Sequence, residues 1–114
     1  MKDQIKIIRN EDSEKQFGVE NINYGYKIED GYEKSTCKIE IICELKFIED
    51  KKSAKKSVRF AFSIIDDQNR LVGAGFEYIY EKKKFFTEDI FVVQIDCNVS
   101  KQKVNTIKTY ISER

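Results

Sequence analysis

The feature that most constrains this chain is a hydrophobic period of two. From Thr36 to Ile48, the residues Cys37, Ile39, Ile41, Cys43, Leu45 and Phe47 alternate with Lys38, Glu40, Glu44 and Lys46, and only Ile42 and Ile48 interrupt the polar side. Successive side chains of an extended strand point to opposite faces, so this pattern puts one face in a core and the other in water. Val58, Phe60, Phe62 and Ile64 alternate in the same way with Arg59, Ala61 and Ser63. Val72, Ala74, Phe76, Tyr78 and Tyr80 oppose Gly73, Gly75 and Glu77, while Phe91, Val93, Ile95 and Cys97 oppose Val92, Gln94 and Asp96. Ile22, Tyr24, Tyr26 and Ile28 oppose Asn23, Gly25 and Lys27, and two weaker strands run from Ile5 to Ile8 and from about Val104 to Ile111. No window carries the i, i+3, i+4, i+7 stripe of a helix with a cap and a stop, so no long helix is expected. A single helical turn fits near Ser100 to Val104.

The connections agree with this reading. Asp66-Asp67-Gln68-Asn69-Arg70 joins two strong strands over a hairpin-length loop, and Asx residues tolerate the left-handed conformation such a loop needs. Glu49 to Ser57 and Glu81 to Asp89 are longer polar loops. Six to seven antiparallel strands in one domain spanning residues 1–114 predict an all-β, two-sheet sandwich of immunoglobulin or fibronectin type, with a small closed barrel as the runner-up. The expected core is Ile39, Ile41, Cys43, Leu45, Phe60, Phe62, Phe76, Val93 and Ile95, the same-parity apolar positions of the four strongest strands.

A resemblance to a known family centres on the hairpin. Phe62-Ser63-Ile64-Ile65-Asp66 resembles the F-x-L-Y-D signature of bacterial FxLYD-type, immunoglobulin-like sandwich domains, in which a strand ends in Asp and, after a short turn, the next opens with a Leu-Val-like pair, here Leu71-Val72. The similarity covers about Val58 to Cys97. Ile64 and Ile65 replace the Leu and Tyr of the signature, and Asn69-Arg70 stands where Gly is usual. The resemblance implies a sandwich fold and a non-catalytic accessory module, with no catalytic residues to carry over.

Composition narrows the function classes. The chain has no histidine, which removes Ser-His and Cys-His nucleophiles, His-ligated metals and the usual neutral-pH proton shuttle. No Gly-rich phosphate loop, HExxH, GxSxG or dinucleotide fingerprint occurs, so no enzyme, cofactor or metal is expected. Twenty-one basic and 20 acidic residues cancel to +1, which argues against a uniformly basic nucleic-acid binder. The longest apolar runs fall far short of a membrane span. The N-terminus lacks the apolar core of a secretory signal, which points to the cytoplasm, or to an extracytoplasmic site if a signal has already been removed. Cys37, Cys43 and Cys97 follow neither a disulfide framework nor a CxxC zinc pattern, and read as reduced core thiols. Cys37 and Cys43 lie roughly 20 Å apart along one strand, so at most one of them reaches Cys97.

Four surface features remain. Asp66 to Asn69 offers clustered oxygens but lacks the alternating ligands, Gly and distal acid of a calcium loop, so it reads as a turn whose side chains bind their own backbone. Glu40 and Glu44 read as cross-strand ion pairs with Lys or Arg. Lys51, Lys52, Lys55, Lys56 and Arg59, with Lys82, Lys83 and Lys84 beside Phe85-Phe86, form two basic clusters that suit phosphate contact and base stacking, or simply keep loops soluble. The preferred function is a non-catalytic module that binds another protein, with a small inhibitor or immunity-type protein that blocks its partner as one form of that class, through a tyrosine surface at Tyr24, Tyr26 and Tyr110 or through an edge strand. The first and last strands are the expected edges, where a second copy of the chain also fits. The alternative is a nucleic-acid or anionic-surface binder acting through the basic loops.

Overall fold

The computed structural model describes residues 5–47, 58–79 and 88–113, and all seven expected strands are present. They are β1 (Lys6–Ile8), β2 (Val19–Asp30), β3 (Cys37–Phe47), β4 (Val58–Asp66), β5 (Leu71–Ile79), β6 (Glu88–Cys97) and β7 (Val104–Glu113). A short helix α1 (Glu11–Gln16) follows β1, and a 3-10 turn (Lys101–Lys103) precedes β7 where a single turn is expected. The strands form a four-stranded sheet in the order β1-β7-β4-β5 and a three-stranded sheet in the order β2-β3-β6. This order departs from the ABED and CFG sheets of an immunoglobulin constant-type domain. One pairing, β1 with β7, is parallel, and the others are antiparallel.

The alternation of β3, β4 and β6 produces the expected interior. Ile39, Ile41, Cys43, Phe60, Phe62, Val93 and Ile95 are all buried, joined by Ile64, Ile107 and Ile111. The Leu45 side chain lies outside the described residues. Phe76 is the exception: it is 52 % exposed, because β5 presents the opposite face from the one its apolar residues suggest. Gly75 pairs with Phe62 and Gly73 with Ile64, so both glycines point inward. A Cβ on Gly75 would lie 2.7 Å from Ile95 Cγ1, and one on Gly73 would lie 2.8 Å from Cys97 Sγ. Thus β6 of the opposite sheet presses directly on β5, and only glycine fits beneath it. The larger residues Ala74 and Phe76 are turned to the outer face.

Two further departures concern the ends of the chain. The last strand is not an edge: β7 lies between β1 and β4. The first strand is an edge, but it covers only Thr106 to Lys108 of β7. Beyond that point α1 takes over. Its Asn10 cap accepts from Ser13 N at 3.0 Å, and Glu11 and Asp12 lie in the first turn, where acids favour the helix dipole. Ser13 Oγ then accepts from Ile111 N at 3.1 Å, and Thr109 Oγ1 accepts from Asn10 N at 3.3 Å. The helix thereby satisfies the Ile111 amide, which β1 is too short to reach, and the strand in turn satisfies the Asn10 amide at the helix cap. Buried Glu14 pairs with Arg9 beside it, and this partner raises the Arg9 pKa. No helix among the described residues is long and apolar enough to cross a membrane.

Candidate functional site

The three tyrosines expected to share a surface are split between two environments. Tyr24 and Tyr26 face the interior from β2, opposite Cys43 and Ile41. Tyr24 meets the Phe62 ring edge-on, with centroids 5.9 Å apart, and carries the Arg9 guanidinium over its face at 6.0 Å. Burial pushes its phenol well above the ordinary range. The Tyr26 hydroxyl accepts from Ile5 N at 3.1 Å and so ties the start of β1 to the other sheet. Both rings pack against the core, Tyr26 with its polar tip hydrogen-bonded and Tyr24 with its hydroxyl buried and without a hydrogen-bond partner among the described residues. Only Tyr110 is on the outside, half exposed on β7.

Tyr110 belongs to a different aromatic surface, the outer face of the four-stranded sheet. It lies opposite Ala61, which lies opposite Phe76 on its other side, so the three form one row across β7, β4 and β5. The next row is Ser112, Arg59 and Tyr78. The Phe76 and Tyr78 rings meet edge-to-face at 5.1 Å, and the Arg59 guanidinium sits 5.8 Å from the centre of the Phe76 ring. Small residues, Ala61, Ser63 and Ala74, form the floor, while Leu71, 64 % exposed, and Ile8 extend the apolar area. The charged residues at the described positions of this face are Lys6, Arg59 and Lys108, with no acid among them. Phe76 escapes the sequence reading because the alternation of β5 assigns it to the core. The glycines at Gly73 and Gly75 are the signal that could have reversed that assignment.

The outer face of the three-stranded sheet is different in character. Glu29, Glu40, Glu44 and Asp96 are interspersed with Lys27 and Lys38 around a smaller apolar group of Ile42, Ile90 and Val92. Glu40 lies opposite Lys27 and accepts from Gln94 Nε2 at 3.4 Å. Glu44 faces Asn23 and Ile90 and has no cation directly opposite.

Of the basic residues singled out in the sequence, Arg59 is on the aromatic face. Lys51, Lys52, Lys55, Lys56, Lys82, Lys83 and Lys84 lie outside the described residues. The strand residues that flank the two stretches do adjoin: Val58 pairs with Ile79, Lys46 pairs with Glu88, and the Phe60 and Phe91 rings bring the two sheets together at 5.2 Å near that end.

The Asp66 turn is a closed hydrogen-bond system. The buried Asp66 carboxylate accepts from Gln68 N at 2.9 Å and Arg70 N at 2.8 Å through Oδ1, and from Arg70 Nε at 2.9 Å through Oδ2. The Arg70 backbone amide is foremost among the donors that hold its pKa below the ordinary value. Asn69 adopts φ 62°, the left-handed conformation expected of an Asx residue in this loop. The oxygens face the turn's own donors, and this is the self-bonded turn expected from the sequence.

At the opposite end from the lysine flanks, Cys37 and Cys97 stand directly across the β3–β6 ladder from each other. All three cysteines are buried, and none is in a disulfide. Burial pushes the Cys43 thiol up to about 12, and burial together with the neighbouring Cys37 does the same for Cys97. A cleft of about 510 Å³ opens at the Cys37–Cys97 rung, lined also by Tyr32, Lys38, Asp96 and Asn98. The Lys38 ammonium lies 5.5 Å from the centre of the Tyr32 ring at this rim. Among the described residues, no three Cys, Asp or Glu side chains converge as a metal-binding group. No family model, curated protein sequence or solved structure matches the chain.

Proposed function

We propose that this protein is a non-catalytic binding module whose docking surface is the outer face of the four-stranded sheet, and that its partner is a protein with an apolar centre and acidic rim. The observation that carries this reading is the row Tyr110–Ala61–Phe76 with Tyr78 and Arg59 beside it, an exposed aromatic surface whose described charges are all positive. Tyrosine, phenylalanine and arginine around small residues give large contact area at low entropy cost, the composition of a binding hot spot. An acidic rim on the partner complements Lys6, Arg59 and Lys108 and speeds encounter. The FxLYD-like stretch Phe62–Asp66 supports the same class of function, an accessory module of sandwich type.

The test is a photo-crosslinking residue placed at Tyr110 or Phe76, compared with one at Gln94 on the opposite sheet. Capture of a partner from the first two positions and not the third is expected. With that partner purified, Phe76→Ala and Tyr110→Ala should each weaken binding by about 1–2 kcal/mol. Equal capture from Gln94 would overturn the assignment of the face.

A second reading, an anionic polymer as ligand, is favoured by the adjoining flanks of the two lysine stretches beside Arg59. Elution from heparin at graded salt separates the two. Steep salt dependence that is lost on reversing the charges of Lys52, Lys55 and Lys56 would support the polymer. Shallow dependence with intact aromatic-face binding would support the protein partner.

A further inference from the structure

We propose that Cys37 and Cys97 form a reversible dithiol–disulfide site, oxidised by a low-molecular-weight disulfide of the glutathione class, while Cys43 takes no part. The argument is geometric. Cys37 and Cys97 are direct partners at the last rung of the β3–β6 ladder, and both side chains point inward. Directly opposed residues of an antiparallel pair have Cα atoms about 4.5–5.5 Å apart, inside the span of roughly 4.4–6.8 Å that a disulfide bridges. The bond therefore forms without moving a strand. Cys43 is six residues further along β3, opposite Phe91 and Tyr24, and reaches neither of the other two.

Access comes from the position of the pair. The last rung of a ladder opens more readily than its middle, and the cleft bounded by Tyr32, Lys38 and Asp96 lies against this one. In the first step a cysteine thiolate attacks the reagent disulfide, forming a mixed disulfide and releasing one thiol. The second cysteine then attacks the protein sulfur of that mixed disulfide and expels the other thiol. Two electrons pass from the cysteine sulfurs to the reagent, and the two protons leave on the released thiols. Burial pushes the Cys97 thiol up, so its thiolate is scarce at neutral pH and the reaction quickens as pH rises.

The full-length chain is incubated under native conditions with oxidised glutathione, denatured, alkylated and digested for mass spectrometry. The expected result is one alkylated cysteine, Cys43, and a Cys37–Cys97 cross-linked peptide about 2 Da lighter than its two thiol halves. Between pH 7 and 9 the rate should rise as the thiolate fraction grows. Cys43→Ser should keep the cross-link, and Cys37→Ser should leave Cys97 alkylated or capped by glutathione. Three alkylated cysteines, a lasting glutathione adduct on the wild-type chain, or a cross-link containing Cys43 would overturn the proposal. The wild-type peptide map decides the matter without relying on either variant.

Discussion

Gly75 and Gly25 are the same residue in the same kind of strand, yet the two positions make opposite demands. A methyl at Gly75 meets buried Ile95 and Val93, whereas nothing lies within 4 Å of one built at Gly25. Gly75→Ala should therefore destabilise by about 1–3 kcal/mol through overpacking. Gly25→Ala should be neutral or stabilising by about 0.4–1 kcal/mol, because it restricts only the unfolded chain. Urea denaturation of both variants checks the contrast. A hydrophobicity pattern sees glycine as blank, and this is why the face of β5 was illegible while those of β3, β4 and β6 were not. Tyr24 and Tyr26 were illegible for a related reason: tyrosine suits both core and surface, and its spacing does not say which. Asp66 was better written, since an acid ending a strand before Asx residues has few roles but the turn. Its carboxylate has a lowered pKa in the folded state, so it stabilises the protein above the ordinary aspartate range. That stability is lost as pH falls through the depressed folded value. Thermal melts should show the wild type weakening on acidification, and Asp66→Asn should be weaker at neutral pH with a flatter acid response.

At the scale of elements, the period-2 signal located every strand but not every neighbour. Alternation reports which face is buried and is silent about which edge is paired, so a weak pattern suggests an edge at β7 although it sits between β1 and β4. Its weak pattern has a physical source: Thr106 and Thr109 are buried polar residues within it. The helix α1 was missed because six residues make too short a stripe for periodicity, though Asn10 followed by Glu11 and Asp12 is a readable start signal. Ser13 is its point of attachment. Ser13→Ala should leave the buried Ile111 N–H without an acceptor, lowering stability by about 1–3 kcal/mol. Hydrogen exchange at Ile111 should rise with it, while the amides of β3 keep their protection. Tyr26→Phe removes the acceptor for Ile5 N and should loosen β1 alone, seen as faster exchange at Ile5 to Ile8.

For the whole molecule, the two outer faces divide the labour that the net charge conceals. A chain of +1 carries one outer face whose described charges are all basic and another whose described acids outnumber its bases. Composition averaged over 114 residues cancels these, and so the proposed docking surface could not be read from it. Lowering salt should accordingly speed association with an acidic partner, with little change in its off-rate. Stopped-flow measurements at two ionic strengths would show this. The placement of β7 has a further consequence during synthesis. A ribosome releases β1, β4 and β5 before the strand that joins β1 to β4 has been made, at roughly 5–20 residues per second. Until β7 emerges, the four-stranded sheet lacks an inner member and the long edge of β4 is bare, a template for any extended chain nearby. Nascent chains halted before Val104 should bind chaperones and aggregate, and emergence of the ten residues of β7 should end both at once.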